Sequence, residues 1–295
     1  MNRILTTEKV TWIDVKNISK KDIDIISANS PFHPFVLGEL TKEIRHPRIE
    51  NYGNYLFLVI HYPYFDRKNQ ETRPKEIDFL ITKNKIITLH QTTILPLESL
   101  LMKLRLYPDQ QKEATQEGTI GLFYIILEEI LKSLTLKFNN IDKKLEQIEE
   151  EITRGEYKKT INKIFFLKKD ILNFEKILSS QRKVFDILQE EGIKLLGKNS
   201  QPFLHEIFNE FLAQKSILDS FQKTLFALDD TNTSLLSIKT NEMIKILTIV
   251  TLILLPLECI TYIFMQKPTV TWILISLQAI FIISVLSYFR IKKWL

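Results

Sequence analysis

The spacing of apolar residues changes character along this chain of 295 residues. Through residues 1–115, short apolar runs alternate with turn signals. The run 55–60, Tyr-Leu-Phe-Leu-Val-Ile, reads as a buried strand entered through Asn51, Tyr52, Gly53 and Asn54. Residues 77–82 and 85–90 read as two more strands, with a tight turn at Lys83 and Asn84. Helical spacing interrupts the strands at 20–28 and 97–106, so an α/β or α+β domain is expected here.

From Gly121 the period lengthens. Residues 122–154 and 156–191 contain neither Gly nor Pro. Phe138, Ile141, Leu145, Ile148 and Ile152 step by three and four, a coiled-coil-like seam. Gly155 separates the two stretches, which predicts two helices forming an antiparallel hairpin within 116–201. The segment 192–202, with Gly192, Gly197, Asn199 and Ser200, is the next turn. From Phe203 to Met265 the only helix breaker is Pro256, so one stalk helix is expected over 202–265, about 90 Å long at 1.5 Å per residue. Pro256 removes a donor from the carbonyl of Leu252 and is the expected place for a kink.

The end of that helix, 246–265, is an apolar run. A second run, 270–289, follows the break Gln266, Lys267, Pro268 and Thr269, and a basic tail, 290–295, closes the chain. Each run is long enough for the roughly 30 Å hydrocarbon core of a bilayer, which predicts two C-terminal transmembrane helices.

Composition sharpens this division. The 45% hydrophobic and 25% charged content is an average over unlike parts. The two apolar runs are almost uncharged, so the first 240 residues carry nearly all the charge and are expected in water. A net charge of +5 without a basic patch interleaved with aromatics gives no reason to expect nucleic acid. Cys259, the single cysteine, lies inside the first run, which excludes a disulfide framework and a thiolate zinc cluster. The segment 1–5 has no apolar core of a signal peptide. Lys245 precedes the first run and Arg290, Lys292 and Lys293 follow the second, against only Lys267 between them. The positive-inside rule then predicts a multi-pass cell-membrane protein with both termini cytoplasmic. Trp272 suits the outer aromatic belt, Tyr288 and Trp294 the inner one.

One stripe of the first run collects its polar groups. In steps of three and four it contains Asn241, Ile244, Thr248, Thr251, Leu255, Glu258 and Tyr262, five of the seven polar. Such a stripe faces a partner or a lumen rather than lipid. Thr248 and Thr251 also have the plainer reading of hydroxyls that glue helices together. Glu258 does not, because an ionisable group near midspan is costly against lipid and marks an ion pathway by default. In a ring of identical chains several Glu258 carboxylates would converge, and an array of oxygen ligands suits hard divalent cations. The stripe argues for a homo-oligomeric cation pathway.

The chain resembles the CorA-type metal ion transporters, a family that includes ZntB-like zinc transporters. The likeness is carried by Trp12-Ile13-Asp14-Val15, Phe32-His33-Pro34, the segment 45–52, Ile87-Thr88-Leu89-His90, and most specifically by 240–248 (Thr-Asn-Glu-Met-Ile-Lys-Ile-Leu-Thr), Pro256-Leu257 and the ending 288–295. It implies a pentamer whose long helix lines a central pore below which the α/β domain forms a cytoplasmic funnel. It also implies a transported or regulatory divalent cation (Mg2+, Co2+, Ni2+ or Zn2+) and no other cofactor.

The family's pore helix ends in Tyr-Gly-Met-Asn, whereas this chain has Tyr262-Ile263-Phe264-Met265-Gln266-Lys267. Met265, Gln266 and Lys267 therefore form a degenerate outer mouth, with Gln266 or Lys267 standing for the Asn depending on whether a gap is placed. The family's Pro-Leu-Thr becomes Pro256-Leu257-Glu258. Glu206 falls where the resemblance places an acidic regulatory metal ligand between subunits; a solvated helix face is the alternative, for His205 and Asn209 beside it as well. The acidic run 146–151 reads as a solvated face able to attract cations.

An enzyme is not expected. The sequence has no Gly-rich phosphate loop, no His-Glu-x-x-His pair and no nucleophile elbow, and His33, His46, His61 and His90 are scattered. Three readings remain: a CorA-like divalent cation channel or transporter, a ZntB-like carrier in which Glu258 exchanges protons, and a non-conducting membrane scaffold or metal sensor.

Overall fold

The computed structural model describes residues 2–29, 32–41, 46–66, 71–263 and 268–291. They fall into two compact units, one of Met1–Gly155 with Lys159–Leu228 and the other of Glu156–Lys158 with Asp229–Leu295.

The first unit is built on a sheet of six strands: β1 (Asn2–Thr6), β2 (Thr11–Lys16), β3 (Arg48–Asn51), β4 (Leu56–Asp66), β5 (Glu71–Ile81) and β6 (Lys85–His90). Their spatial order is β1-β2-β6-β5-β4-β3. β2 and β6 run parallel and every other pair is antiparallel. The runs at 55–60, 77–82 and 85–90 are strands, as expected. Their continuous apolar character follows from burial on both faces. Phe57, Val59, Leu80, Ile87 and Leu89 pack with Val15 beneath α1 (Lys20–Asn29) and α2 (Pro34–Glu39). The alternate residue Phe79 meets Phe123 of α5 (Thr119–Thr153) at 5.8 Å on the other face. Lys83 and Asn84 do turn the chain, with the Thr82 N–H donating to the Lys85 carbonyl at 2.8 Å.

β1, β2 and β3 lie outside the strand pattern read from the sequence. β2 carries a buried carboxylate, Asp14, that accepts from the Thr88 hydroxyl at 2.6 Å and sits 3.1 Å from His90 Nε2. The Trp12 indole in turn donates to Thr88 at 3.0 Å. Each buried polar group of this set has a partner, the condition for tolerating it in a core. His90 is thus accounted for structurally.

α3 (Leu95–Leu106) and α4 (Pro108–Thr115) lead into α5. Ile141, Leu145, Ile148 and Ile152 of the predicted seam are buried, and Phe138 lies 5.6 Å from Phe174 of α6 (Tyr157–Ser179). The stretch expected as one helix over 156–191 is two, α6 and α7 (Arg182–Leu196). No Gly or Pro causes the break. The side chain of Gln181 is turned inward and bonds the backbone of His61, and the local bonding tightens to the Gln181 N–H on the Leu178 carbonyl at 3.0 Å. After α7 a 3-10 turn (Lys198–Ser200) leads into α8 (Gln201–Ile263), with Pro202 in the first turn, where its missing N–H costs nothing. Phe211 of α8 stacks on Phe185 of α7 at 4.3 Å. α9 (Pro268–Ile291) completes the described residues.

Candidate functional site

The stripe that concentrates the polar residues lies wholly in the second unit, on the C-terminal part of α8. It forms there because the helix runs through the region with Pro256 inside it, and heptad-like spacing keeps positions three and four apart on one face. Asn241, Ile244, Thr248, Thr251, Leu255, Glu258 and Tyr262 are all helical and all exposed in the chain. Helical geometry thus brings all seven onto one line. Thr248 and Thr251 donate their hydroxyls to the carbonyls of Ile244 and Leu247, each at 2.9 Å. Those bonds consume the hydroxyl protons and leave the oxygen lone pairs as acceptors facing outward.

Pro256 lies inside α8 rather than ending it. Glu258 follows it by two residues, and Cys259 beside it is a free, exposed thiol. Among the described residues no group of three or more His, Cys, Asp or Glu is placed to hold a metal ion. Also among the described residues, no helix is long and apolar enough to cross a membrane; the apolar run 246–265 is only partly covered by them. Met265, Gln266 and Lys267, the degenerate outer mouth, lie outside the described residues.

Glu206 sits in the first unit, exposed near the start of α8. Its surroundings are acidic. The Tyr124 hydroxyl donates to Glu128 at 2.9 Å, and Tyr124 is pushed up to about 12, by burial first, then by the Glu128 bond, with Glu206 and Glu210 adding negative charge. His205 is held elsewhere, its Nδ1 lying 3.3 Å from Gln189 Oε1. Asn209 is exposed. The acidic run divides: Glu146, Glu149 and Glu150 are exposed, while Glu151 pairs with Lys159 and Lys163.

Comparison with known proteins covers nearly the whole chain. The family model described as "CorA-like Mg2+ transporter protein" matches residues 7–293. The cobalt/magnesium transport protein CorA of Thermotoga maritima is 23% identical over 97% of this chain and 83% of its own length. The complete structure of the CorA magnesium transporter from Methanocaldococcus jannaschii matches with a TM-score of 0.75 at 22% identity, covering 99% of this chain and 94% of that one. The ZntB cytoplasmic domain from Vibrio parahaemolyticus matches with a TM-score of 0.61 at 13% identity, over 77% of this chain and 88% of that one.

Proposed function

The chain belongs to the family of CorA-like Mg2+ transporters, and from that premise we propose that it moves a divalent metal cation across the cell membrane as a homopentamer. The observation that carries this reading is the exposed stripe from Asn241 to Tyr262. In a ring of copies, α8 lines the pore with its carboxamide, hydroxyl and carboxylate oxygens. Five Glu258 side chains at one level raise the local concentration of divalent cations and replace part of their hydration shell. α9 is the second membrane span, and both termini are cytoplasmic because the basic flanks at Lys245 and Arg290 sit on the same side. Domains follow the same plan: a cytoplasmic α/β domain over 1–115, the helices α5, α6 and α7 within 116–201, a stalk over 202–265, a second span over 270–289 and a basic tail over 290–295.

The named Thermotoga relative transports cobalt and magnesium, and those ions head the list of substrates, with Ni2+ and Zn2+ beside them. Selectivity is assigned to Glu258 rather than to the outer mouth, because Met265, Gln266 and Lys267 replace the Gly-Met-Asn of the family. Glu206 is proposed as a ligand of a regulatory cation, supported by the negative charge gathered with it around Tyr124.

A second reading rests on one observation. Glu258 is a titratable group where the family has Thr, so a proton can bind and leave as the metal passes, as in a ZntB-like carrier. Flux into liposomes separates the readings, with Mg2+, Co2+, Ni2+ and Zn2+ offered with and without a proton gradient. The expected result is uptake of at least one of these ions, lowered tenfold or more by Glu258→Ala. Equal flux in wild type, Glu258→Ala and Glu258→Gln removes Glu258 from the pathway. A response to the proton gradient that Glu258→Gln abolishes favours the carrier. Absence of flux for every metal under every gradient leaves a non-conducting scaffold or sensor.

A further inference from the structure

The ribbon of β4 and β5 runs on beyond the rest of the sheet. Their pairing extends from Leu56–Ile81 to Asp66–Glu71, whereas β6 pairs with β5 only as far as Asp78 and β3 with β4 only as far as Val59. The overhanging ribbon forms one wall of a cleft of about 1270 Å3, and α5 and α6 form the other.

Four lysines line this cleft: Lys75 from β5, and Lys137, Lys143 and Lys144 from α5. Asp170, on α6, is the one carboxylate lining it among the described residues, and its Oδ1 accepts from the Thr72 N–H at 3.1 Å and the Thr72 hydroxyl at 2.5 Å. Among the described residues the cations rest on neutral groups. Lys75 Nζ lies 3.6 Å from the centre of the Tyr64 ring and donates to the Thr93 carbonyl at 3.2 Å. Lys137 Nζ lies 3.8 Å from the Tyr62 ring and donates to the Pro63 carbonyl. Lys144 Nζ lies 5.5 Å from the Phe65 ring. Ring faces and carbonyls attract ammonium groups only weakly compared with an anion.

We propose that this cleft binds a polyphosphate anion, held by Lys75, Lys137 and Lys144. Lys137 and Lys144 are seven residues apart on one face of α5, about 10 Å along its axis, with Lys75 opposite. A single phosphate reaches one end of that row, whereas a chain of phosphates spans it. The electrostatics agree with the geometry: burial holds both Lys75 and Lys137 below the ordinary lysine range, with a neighbouring lysine adding to the effect in each case. A bound polyanion removes that cost. Three of the lysines come from α5 and the fourth, Lys75, is more than sixty residues away in sequence on β5, so the fold completes the patch.

Inorganic tripolyphosphate and ATP share this chemistry, and titration calorimetry on the full chain in detergent, in buffer stripped of divalent cations, distinguishes them. Saturable binding of tripolyphosphate and ATP alike, weakened tenfold or more by Lys75→Gln with Lys144→Gln, assigns the phosphate chain as the ligand. Saturable binding of ATP alone, equally weakened, assigns a nucleotide. Absence of saturable binding by either compound, or affinities unchanged in the double variant, overturns the proposal. Both lysines reach the cleft surface without ion pairs among the described residues, and an unchanged melting transition confirms that the variant is folded.

Discussion

Gln181 presents its side-chain amide to the backbone of His61 as a strand would. The His61 N–H donates to Gln181 Oε1 at 2.7 Å, and Gln181 Nε2 donates to the His61 carbonyl at 2.9 Å and to the Ile177 carbonyl at 3.0 Å. β3 begins at Arg48 opposite Val59, two residues short of the position opposite His61. A carboxamide offers the same donor and acceptor as a peptide group, and the helix breaks at Gln181 to deliver it.

Gln181→Ala should therefore remove two hydrogen bonds from the half-buried His61 backbone. A loss of about 1–3 kcal/mol is expected. Gln181→Glu keeps the acceptor but, once ionised, sets a buried carboxylate against the His61 and Ile177 carbonyls, and should be less stable than Ala above the carboxylate pKa and recover as the pH falls below it. Thermal unfolding of the full chain measures the order. An Ala variant as stable as wild type would show that the two bonds contribute nothing beyond what water supplies.

Gly192 of α7 is a second point where packing decides the residue. A Cβ placed there would lie 2.6 Å from Leu204 Cδ1 and 3.0 Å from Leu204 Cδ2. Leu204, in the first turn of α8, is buried and has little room to turn aside. Helix propensity favours Ala over Gly by about 1 kcal/mol, while overpacking costs about 1–3 kcal/mol. Gly192→Ala should come out destabilising, and Gly192→Ala combined with Leu204→Ala should recover part of the loss in the same unfolding measurement.

These two contacts also mark where the sequence stops being legible. The strands at 55–60, 77–82 and 85–90 were readable because burial on both faces writes a continuous apolar run. β3, Arg-Ile-Glu-Asn, is a half-exposed edge with no apolar run to see, and β2 interrupts its pattern with Asp14, whose partners Thr88 and His90 are more than seventy residues away. The break at Gln181 depends on a contact 120 residues distant. The stripe of α8 was readable for the opposite reason: helical spacing alone puts Asn241 to Tyr262 on one line, with no tertiary contact required. The meeting of several copies of that stripe requires an assembly, and no pattern within one chain encodes the number of copies.

Lys137 links stability to pH with a definite sign. Burial lowers it from 10.5 to about 7, with Lys75 of β5 reinforcing the shift and Asp170 of α6 opposing it. Between about pH 7 and 10.5 the unfolded chain binds a proton at this residue that the folded chain does not, so stability rises with pH across that window. Lys137→Met keeps the apolar stem and removes the charge. Its stability advantage over wild type should be largest below pH 7 and vanish by pH 10.5. Melting curves at several pH values test the difference, and a constant offset across that range would mean that Lys137 acts through packing alone.

The single native cysteine makes the pore stripe directly testable. Cys259 is adjacent to Glu258 but about 100° around the helix from it, so Cys259→Ser gives a cysteine-free background without touching the stripe. In that background Thr251→Cys puts a thiol on the proposed water-filled face, and Leu252→Cys puts one a single residue further on, off that face. A thiolate reacts with charged methanethiosulfonates only where water reaches it, because ionisation is suppressed against lipid. Thr251→Cys should be modified within minutes and lose at least tenfold of its metal flux, whereas Leu252→Cys should keep its flux. Thr248→Cys should behave as Thr251→Cys does, because it lies three residues back on the same line. Equal modification at 251 and 252 would mean that water surrounds the helix evenly, and the stripe would then line nothing.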